Sequence, residues 1–156
     1  MKLSARGRYA VMAMADLAQA TAALENATPV PIGEIAQRQD IPQPYLEQLF
    51  AKLRKAGLVV SHRGAYGGYA LAHPAHEMKV ADVILAVDEP IKTTRCSDTS
   101  TGGCMSDQGR CLTHDLWDEL SRQIYTFLAS VTLEDVIEKR LAGRGFLSVD
   151  EWEAAQ

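Results

Sequence analysis

The sequence is short of the features that would place it in several large classes. Only three cysteines occur in 156 residues, an odd number that cannot pair off internally and that points to a reducing compartment or to ligation. No apolar run approaches the roughly 20 residues of a membrane span; the longest, Val80 to Val87, is interrupted by Asp82. Lys2, Arg6 and Arg8 ahead of Tyr9–Ala15 loosely imitate a secretory signal, but Asp16 breaks the stretch and no cleavage pattern follows. Internal repeats and low-complexity tracts are absent, and so are a Ser/His/Asp grouping and a phosphate-binding glycine loop. These absences argue against an enzyme and a membrane partner, and for a soluble cytoplasmic chain. What is there is ordinary globular composition, 47% apolar and 23% charged. A chain of this length buries roughly 70% of its unfolded surface, enough for a core without staples.

The net charge of −4 speaks against nucleic acid until it is divided along the chain. Residues 1–70 carry eight Lys/Arg against five Asp/Glu, whereas residues 71–156 carry eight against fifteen. The positive surplus is clustered, with Lys2, Arg6 and Arg8 at one end and Lys52, Arg54, Lys55 and Arg63 at the other. Phosphate binding answers to such local patches more than to the total.

Val11, Met14, Leu17, Ala18 and Thr21 recur at helical spacing and predict a helix over residues 9–21, with Ser4 as its N-cap. Thr28-Pro29-Val30-Pro31 reads as a loop. Pro31 then opens a short helix, Ile32–Gln39, with Ile32, Ile35 and Ala36 inward, before a tight break at Asp40-Ile41-Pro42. Tyr45, Leu46, Leu49, Phe50 and Leu53 mark a third helix that Pro44 begins and Gly57 ends. Leu58–Ser61 and Tyr69–Ala72 flank the glycine-rich basic stretch His62–Gly68 and predict a hairpin. A fourth helix shows in Val80, Val83, Ile84 and Val87. Residues 88–113 carry no periodic apolar pattern and hold all three cysteines. After them a long helix over roughly 113–131 places Leu116, Leu120, Ile124, Phe127 or Leu128, and Val131 at near-heptad spacing. Thr132–Asp135 resembles a capping box and opens a last helix ending near Gly143.

Three helices and a glycine-tipped hairpin in 70 residues follow the order of a winged helix-turn-helix, whose second turn helix enters the major groove while the wing reaches backbone or minor groove. Gln43, Tyr45, Glu47, Gln48 and Lys52 take polar positions on that helix. Gln pairs with adenine in bidentate fashion, and Glu accepts from cytosine N4. Arg63 opens a wing in which Gly64, Gly67 and Gly68 permit close backbone approach, with Tyr66 at the tip. Lys2 and Arg8 add cations at the N-terminus. Any one of these residues taken alone is better explained by a solvated helix face or a tight turn; the ordered set points to double-stranded DNA. Base readout falls to Gln48 and Arg63, and phosphate affinity to Lys52, Arg54 and Lys55.

The spacing Cys96-x7-Cys104-x6-Cys111-x2-His114 sets three thiols and an imidazole on a loop rich in Gly, Ser and Asp. Zinc takes Cys₃His tetrahedrally, and a [2Fe–2S] cluster takes four protein ligands and accepts His for Cys. Zinc loops usually present two close pairs, and here only Cys111 and His114 are close, so the wide spacings suit the larger cluster better. Zinc, and unligated redox-reactive thiols, stay open. The stripe Leu116, Leu120, Ile124, Leu128 and Val131 is long for so small a chain to cover alone, and a second copy would bury it; coverage by the first and fourth helices is the other possibility. The expected architecture is mainly α with a small β-hairpin wing. It comprises a winged helix-turn-helix over 1–87, a cluster-binding loop over 88–113, a dimerisation helix and C-terminal helix over 113–142, and a tail over 143–156.

The opening Met-Lys-Leu-Ser-Ala-Arg-Gly-Arg-Tyr-Ala-Val, the segment Pro44–Phe50, the wing Arg63–Tyr69 and the run Cys111-Leu112-Thr113-His114 resemble the iron–sulfur cluster regulators of the winged-helix repressor family, over about residues 1–142. The resemblance implies a homodimeric transcription factor holding one [2Fe–2S] cluster per subunit through Cys96, Cys104, Cys111 and His114. It implies control of cluster-assembly genes, with the assembly machinery as cluster donor and with DNA-site choice switched by cluster occupancy. By position, Tyr45, Glu47, Gln48 and Arg63 match the family's DNA-contact region, and Glu47 would discriminate between site classes. Two departures stand out: Pro44 replaces a DNA-contacting serine, so that contact is lost or passes to a neighbour such as Gln43, and the cysteine spacings are longer. Relatives with three cysteine ligands sense nitric oxide or iron through a [4Fe–4S] cluster; Cys-Leu-Thr-His argues against that form. A redox thiol protein or electron carrier would leave the basic N-terminal half unexplained.

Overall fold

Helix α1 (Ala5–Ala22) is the element on which the others are assembled in the computed structural model, which describes residues 4–22, 28–64, 66–93 and 109–141. It starts four residues before the apolar periodicity does because Ser4 caps it. The Ser4 hydroxyl accepts from the Arg6 N–H at 3.2 Å, and the Ser4 carbonyl accepts from the Arg8 N–H at 3.3 Å. Its buried face is Gly7, Ala10, Ala13, Met14, Asp16, Leu17 and Ala18. Against α1 pack α2 (Ile32–Gln39), α3 (Gln43–Lys55), α4 (Val80–Ala86), α6 (Leu133–Ile137) and strand β2 (Gly68–Leu71).

The turn between α2 and α3 is closed by backbone geometry. Asp40 takes a left-handed conformation (φ 52°), and the Ile41 N–H reaches back to the Ala36 carbonyl at 3.0 Å. Ile41 is thereby buried, and α3 starts at Gln43 with Pro44 in its first turn. Leu46, Leu49, Phe50 and Leu53 form the inner face of α3. Gly57 ends it as expected, at φ 76°, with N–H bonds from Gly57 to Arg54 and from Leu58 to Leu53, both 3.0 Å.

Asp16, which looks out of place in the apolar periodicity of α1, is the tie between α1 and α2. Arg38 donates to both of its carboxylate oxygens, through Nη2 at 2.8 Å and Nε at 3.1 and 3.2 Å, and Gln39 Nε2 adds a bond of 2.8 Å.

Strand β1 (Val59–His62) pairs antiparallel with β2 in the register Val59 to Leu71 and His62 to Gly68. Val30, expected in a plain loop, extends this sheet: it exchanges backbone bonds of 2.8 and 2.9 Å with Tyr69. Glycine is obligatory at position 68, where a Cβ would lie 2.4 Å from the Val30 carbonyl oxygen. The Phe50 and Tyr69 rings, 4.7 Å apart, fasten the wing to α3.

The long helix α5 (His114–Ser130) has no buried residue and packs against α4. Val131, expected on its outer stripe, is corrected by the structure. Just past the helix, Val131 turns extended (ψ 129°) and is buried with Val80 and Ile84, inside the chain. Its carbonyl accepts from the Val80 N–H at 2.9 Å. The capping box forms as expected: Asp135 N–H to Thr132 Oγ1 and Thr132 N–H to Asp135 Oδ2, both 3.0 Å. Helix α6 then stops at Ile137, well short of Gly143, which lies outside the described residues. Lys139 adopts φ 56°, and the Arg140 N–H returns to the Asp135 carbonyl at 2.9 Å. Leu133 enters the same core as Leu17 and Phe50, so the C-terminal helix packs with the N-terminal helices. Among the described residues no helix is long and apolar enough to cross a membrane.

The Asp16–Arg38 tie yields an asymmetric stability prediction. Removing Arg38 leaves a buried carboxylate with only Gln39, whereas removing Asp16 leaves a half-exposed guanidinium that water can solvate. Arg38→Ala is expected to cost about 2–3 kcal/mol and Asp16→Ala about 1–2 kcal/mol in urea unfolding. Equal or inverted losses would show that the pair does not fix α2 on α1.

Candidate nucleic-acid interface and metal-ligand segment

The N-terminus of α3 and the wing enclose an open cleft of about 480 Å³ lined by Gln43, Ser61, His62, Arg63, Gly64 and Gly67, with Pro31, Ile32, Gly33, Gly68 and Tyr69 behind them. Gln43, Glu47 and Gln48 are exposed on α3, and Arg63, Gly64 and Tyr66 are exposed on the wing. Gln43 Nε2 donates to Glu47 Oε1 at 3.0 Å, one helical turn away. Tyr45 is half-buried, its ring edge-on to Tyr9 at 5.9 Å, so packing takes most of a side chain expected to face DNA. Gly67 and Gly68 serve the fold first: a Cβ on Gly67 would lie 2.6 Å from the His62 carbonyl oxygen.

Arg8 is exposed on α1, and Arg54 reaches Ser61 Oγ at 3.4 Å. Lys52, placed by the sequence among the phosphate-binding groups, has its Nζ 2.8 Å from Asp88 Oδ2. The hydrogen bond from Lys52, reinforced by its charge, holds the Asp88 carboxyl below the usual carboxylate range. Asp88 follows α4 at φ 56°. Arg6 Nη1 donates to the Val87 and Asp88 carbonyls at 3.5 and 3.3 Å, and the Ser4 N–H donates to Glu89 Oε1 at 3.3 Å. The start of the 88–113 segment is therefore bound to the two basic ends of the N-terminal half. No local pattern around Asp88 foretells this, since its partners lie far away in sequence. Lys2 lies outside the described residues.

Of the four candidate ligands, Cys96 and Cys104 lie outside the described residues. Cys111 and His114 stand on one turn at the head of α5, with the His114 N–H bonded to the Cys111 carbonyl at 3.1 Å and both residues half-buried. Cys111 Sγ lies 3.7 Å from Thr113 Oγ1. Among the described residues no group of three His, Cys, Asp or Glu side chains is placed to hold a metal ion.

The apolar stripe of α5 divides in two. Leu128 packs on the Val80, Ile84 and Val131 cluster, and Thr93 binds the inner side through the Trp117 carbonyl at 2.8 Å and Ser121 Oγ at 2.9 Å. Leu116, 61% exposed, and Phe127, 40% exposed, lie on the outer side; Leu120 and Ile124 are half-buried between the two. Trp117, Tyr125 and Leu112 are further exposed apolar groups on and before this helix.

Comparison with known proteins finds transcriptional regulators. A family model, Rrf2, described as iron-dependent transcriptional regulator, matches residues 3–139. The HTH-type transcriptional regulator IscR of Photorhabdus laumondii is 47% identical over 148 residues, covering 92% of this chain and 86% of that protein. IscR of Cereibacter sphaeroides is 43% identical over 141 residues, covering 90% of each. Among solved structures, T. potens IscR superposes with a TM-score of 0.70 at 37% identity, covering 90% of this chain and 88% of that one. CymR, the global cysteine regulator of B. subtilis, superposes with a TM-score of 0.71 at 32% identity, covering 89% and 98%.

Proposed function

The chain belongs to the Rrf2 family of transcriptional regulators, and from that premise we propose that it is a homodimer whose choice of DNA site is switched by a [2Fe–2S] cluster, one per subunit. It is a DNA-binding regulator and not an enzyme, as are the relatives that match it along most of its length. Cys96, Cys104, Cys111 and His114 would hold the cluster, the assembly machinery would donate it, and the genes of cluster assembly would be the targets. The observation that carries this reading is the hydrogen-bonded turn joining Cys111 to His114 at the head of α5, the helix that buries none of its residues. The donor set suits the group: three thiols and an imidazole are four protein ligands, and such clusters accept His for Cys. When bound, the cluster supplies one-electron redox chemistry and a ligation that is lost when supply falls.

The chain's own residues supply the rest. Ligation through Cys96, Cys104, Cys111 and His114 would couple the head of α5 to a segment bound at its start to Lys52, Arg6 and Ser4, and so bias the DNA-reading half. Leu116, Leu120 and Phe127 give α5 an apolar outer face that a second copy would cover. Two wings related by a two-fold would then read half-sites about 34–36 Å apart. Gln48 and Arg63 would carry base readout. Lys52 would serve phosphate affinity in competition with Asp88.

Three outcomes test this reading. Leu116→Glu should turn a dimer into a monomer at micromolar concentration in sedimentation; a wild-type monomer would remove the dimer. Lys52→Ala should weaken binding to all sequences alike and make the salt slope shallower by about one, and Asp88→Asn should tighten binding to all sequences. A sequence-selective loss in Lys52→Ala would contradict the phosphate role. His114→Cys should retain its visible absorbance longer than wild type after anaerobic reconstitution, because an imidazole holds the cluster less firmly than a fourth thiolate. Equal decay would end the account of a weak fourth ligand, and a protein that takes only zinc would end the cluster assignment.

A further inference from the structure

We propose that Gln43 is a positioning residue for base readout: its side-chain amide, set between Gly33 and Glu47, aims the Glu47 carboxylate at a base edge, so that the two read DNA as one unit. The proposal rests on the function proposed above, with α3 as the helix that enters the major groove and Glu47 exposed on it.

Gln43 is the first residue of α3, and the preceding Pro42 offers no side-chain cap. Its amide therefore stands beside an uncapped helix start, one turn below Glu47 on the same face. Nε2 donates to Glu47 Oε1 at 3.0 Å; both residues are exposed, and Gln43 lines the cleft with the wing. A Cβ on Gly33 of α2 would lie 3.2 Å from Gln43 Oε1, a tight contact that a shift of a few tenths of an ångström in the Gln43 side chain would relieve, so the absence of a side chain at Gly33 gives that oxygen its room.

This placement decides between two roles for Gln43. Bidentate pairing with adenine needs the amide oxygen and nitrogen together. Here the nitrogen is turned to Glu47 and the oxygen to Gly33, so Gln43 is not itself arranged as a base reader. Glu47, with Oε1 engaged, keeps Oε2 as a bare acceptor. A carboxylate in the major groove matches an exocyclic amine, cytosine N4 above all, and is repelled by the acceptors O4, O6 and N7 and by phosphates. Its contribution is largely rejection of the wrong base, and rejection depends on direction. A Glu free to rotate on an exposed helix would turn from the repulsive edge and forfeit the discrimination; the Gln43 bond restrains it. Pro44, one position on, has neither hydroxyl nor backbone N–H to do so.

The test is selection from a randomised duplex library by the full-length chain, comparing wild type with Gln43→Ala, Gln43→Met, Glu47→Ala and the double variant Gln43→Ala/Glu47→Ala. Gln43→Met keeps the length of the side chain and removes the donor. Both Gln43 variants should relax preference at the same base pair as Glu47→Ala, by about 1.4- to 2.3-fold, the scale of an exposed bond at this spacing. Gln43→Ala should have no further effect in the Glu47→Ala background. Relaxation at a different base pair, effects that multiply with those of Glu47→Ala, or an unchanged Gln43→Met profile would overturn the positioning role. If Glu47→Ala itself changes preference at no base pair, the underlying reading of α3 fails, and the paired unit with it.

Discussion

The crowding of one helix governs this structure. Helices α2, α3, α4 and α6 and the wing strand β2 all pack on α1, and they can approach because its buried face is largely Gly7, Ala10, Ala13 and Ala18, with Met14 and Leu17 as the larger contacts. Small side chains trade apolar area for proximity, and close packing at this density leaves little room for volume changes. The same crowding explains why Asp16 is tolerated. It is buried, but the guanidinium of Arg38 and the amide of Gln39 meet its oxygens, converting an unfavourable burial into an orienting tie between α1 and the helix-turn-helix.

From this arrangement follows the placement of the functional groups. Because α3 is held from behind by Leu46, Leu49, Phe50 and Leu53, its opposite face carries Gln43, Glu47 and Gln48 outward. Because Val30 pairs with Tyr69, the wing stands as an extension of the core and brings Arg63 to the same cleft as Gln43. Because α6 is anchored in that core by Leu133, and Val131 binds the Val80 N–H, α5 leaves from a fixed point while its own length stays outside. Helix α5 thus joins the packed helix-turn-helix and wing to the segment carrying Cys111 and His114, and the Asp88 contacts join the two at the other end.

The helix-turn-helix and its wing were largely legible in the sequence, since each boundary has a chemical mark: Ser4 at a cap, Pro44 in a first turn, Gly57 at a left-handed close, the Thr132–Asp135 box. The misjudged parts are those where a local pattern does not say which neighbour covers it. Val131 continues the apolar spacing of α5, but the chain has already left the helix there, and its side chain goes to the Val80 cluster. The left-handed turn at Lys139 carries none of the usual glycine, so the early end of α6 was not visible. Val30 pairs with a partner thirty-nine positions on, and Lys52 with Asp88 across a similar gap; neither leaves a periodic trace. The spacing of α5 left Phe127 or Leu128 open; Leu128 packs on the Val80 cluster, and Phe127 is the one exposed.

The claim on which the account turns is that cluster occupancy changes what the DNA-reading half prefers. The direct measurement compares, under anaerobic conditions and at one salt concentration, the affinity of reconstituted and cluster-free full-length protein for two classes of operator duplex. The account predicts that the ratio of the two affinities shifts between the forms by at least about fivefold, the lower range of coupling between distant sites. A ratio identical in both forms, with each still binding DNA, would contradict it.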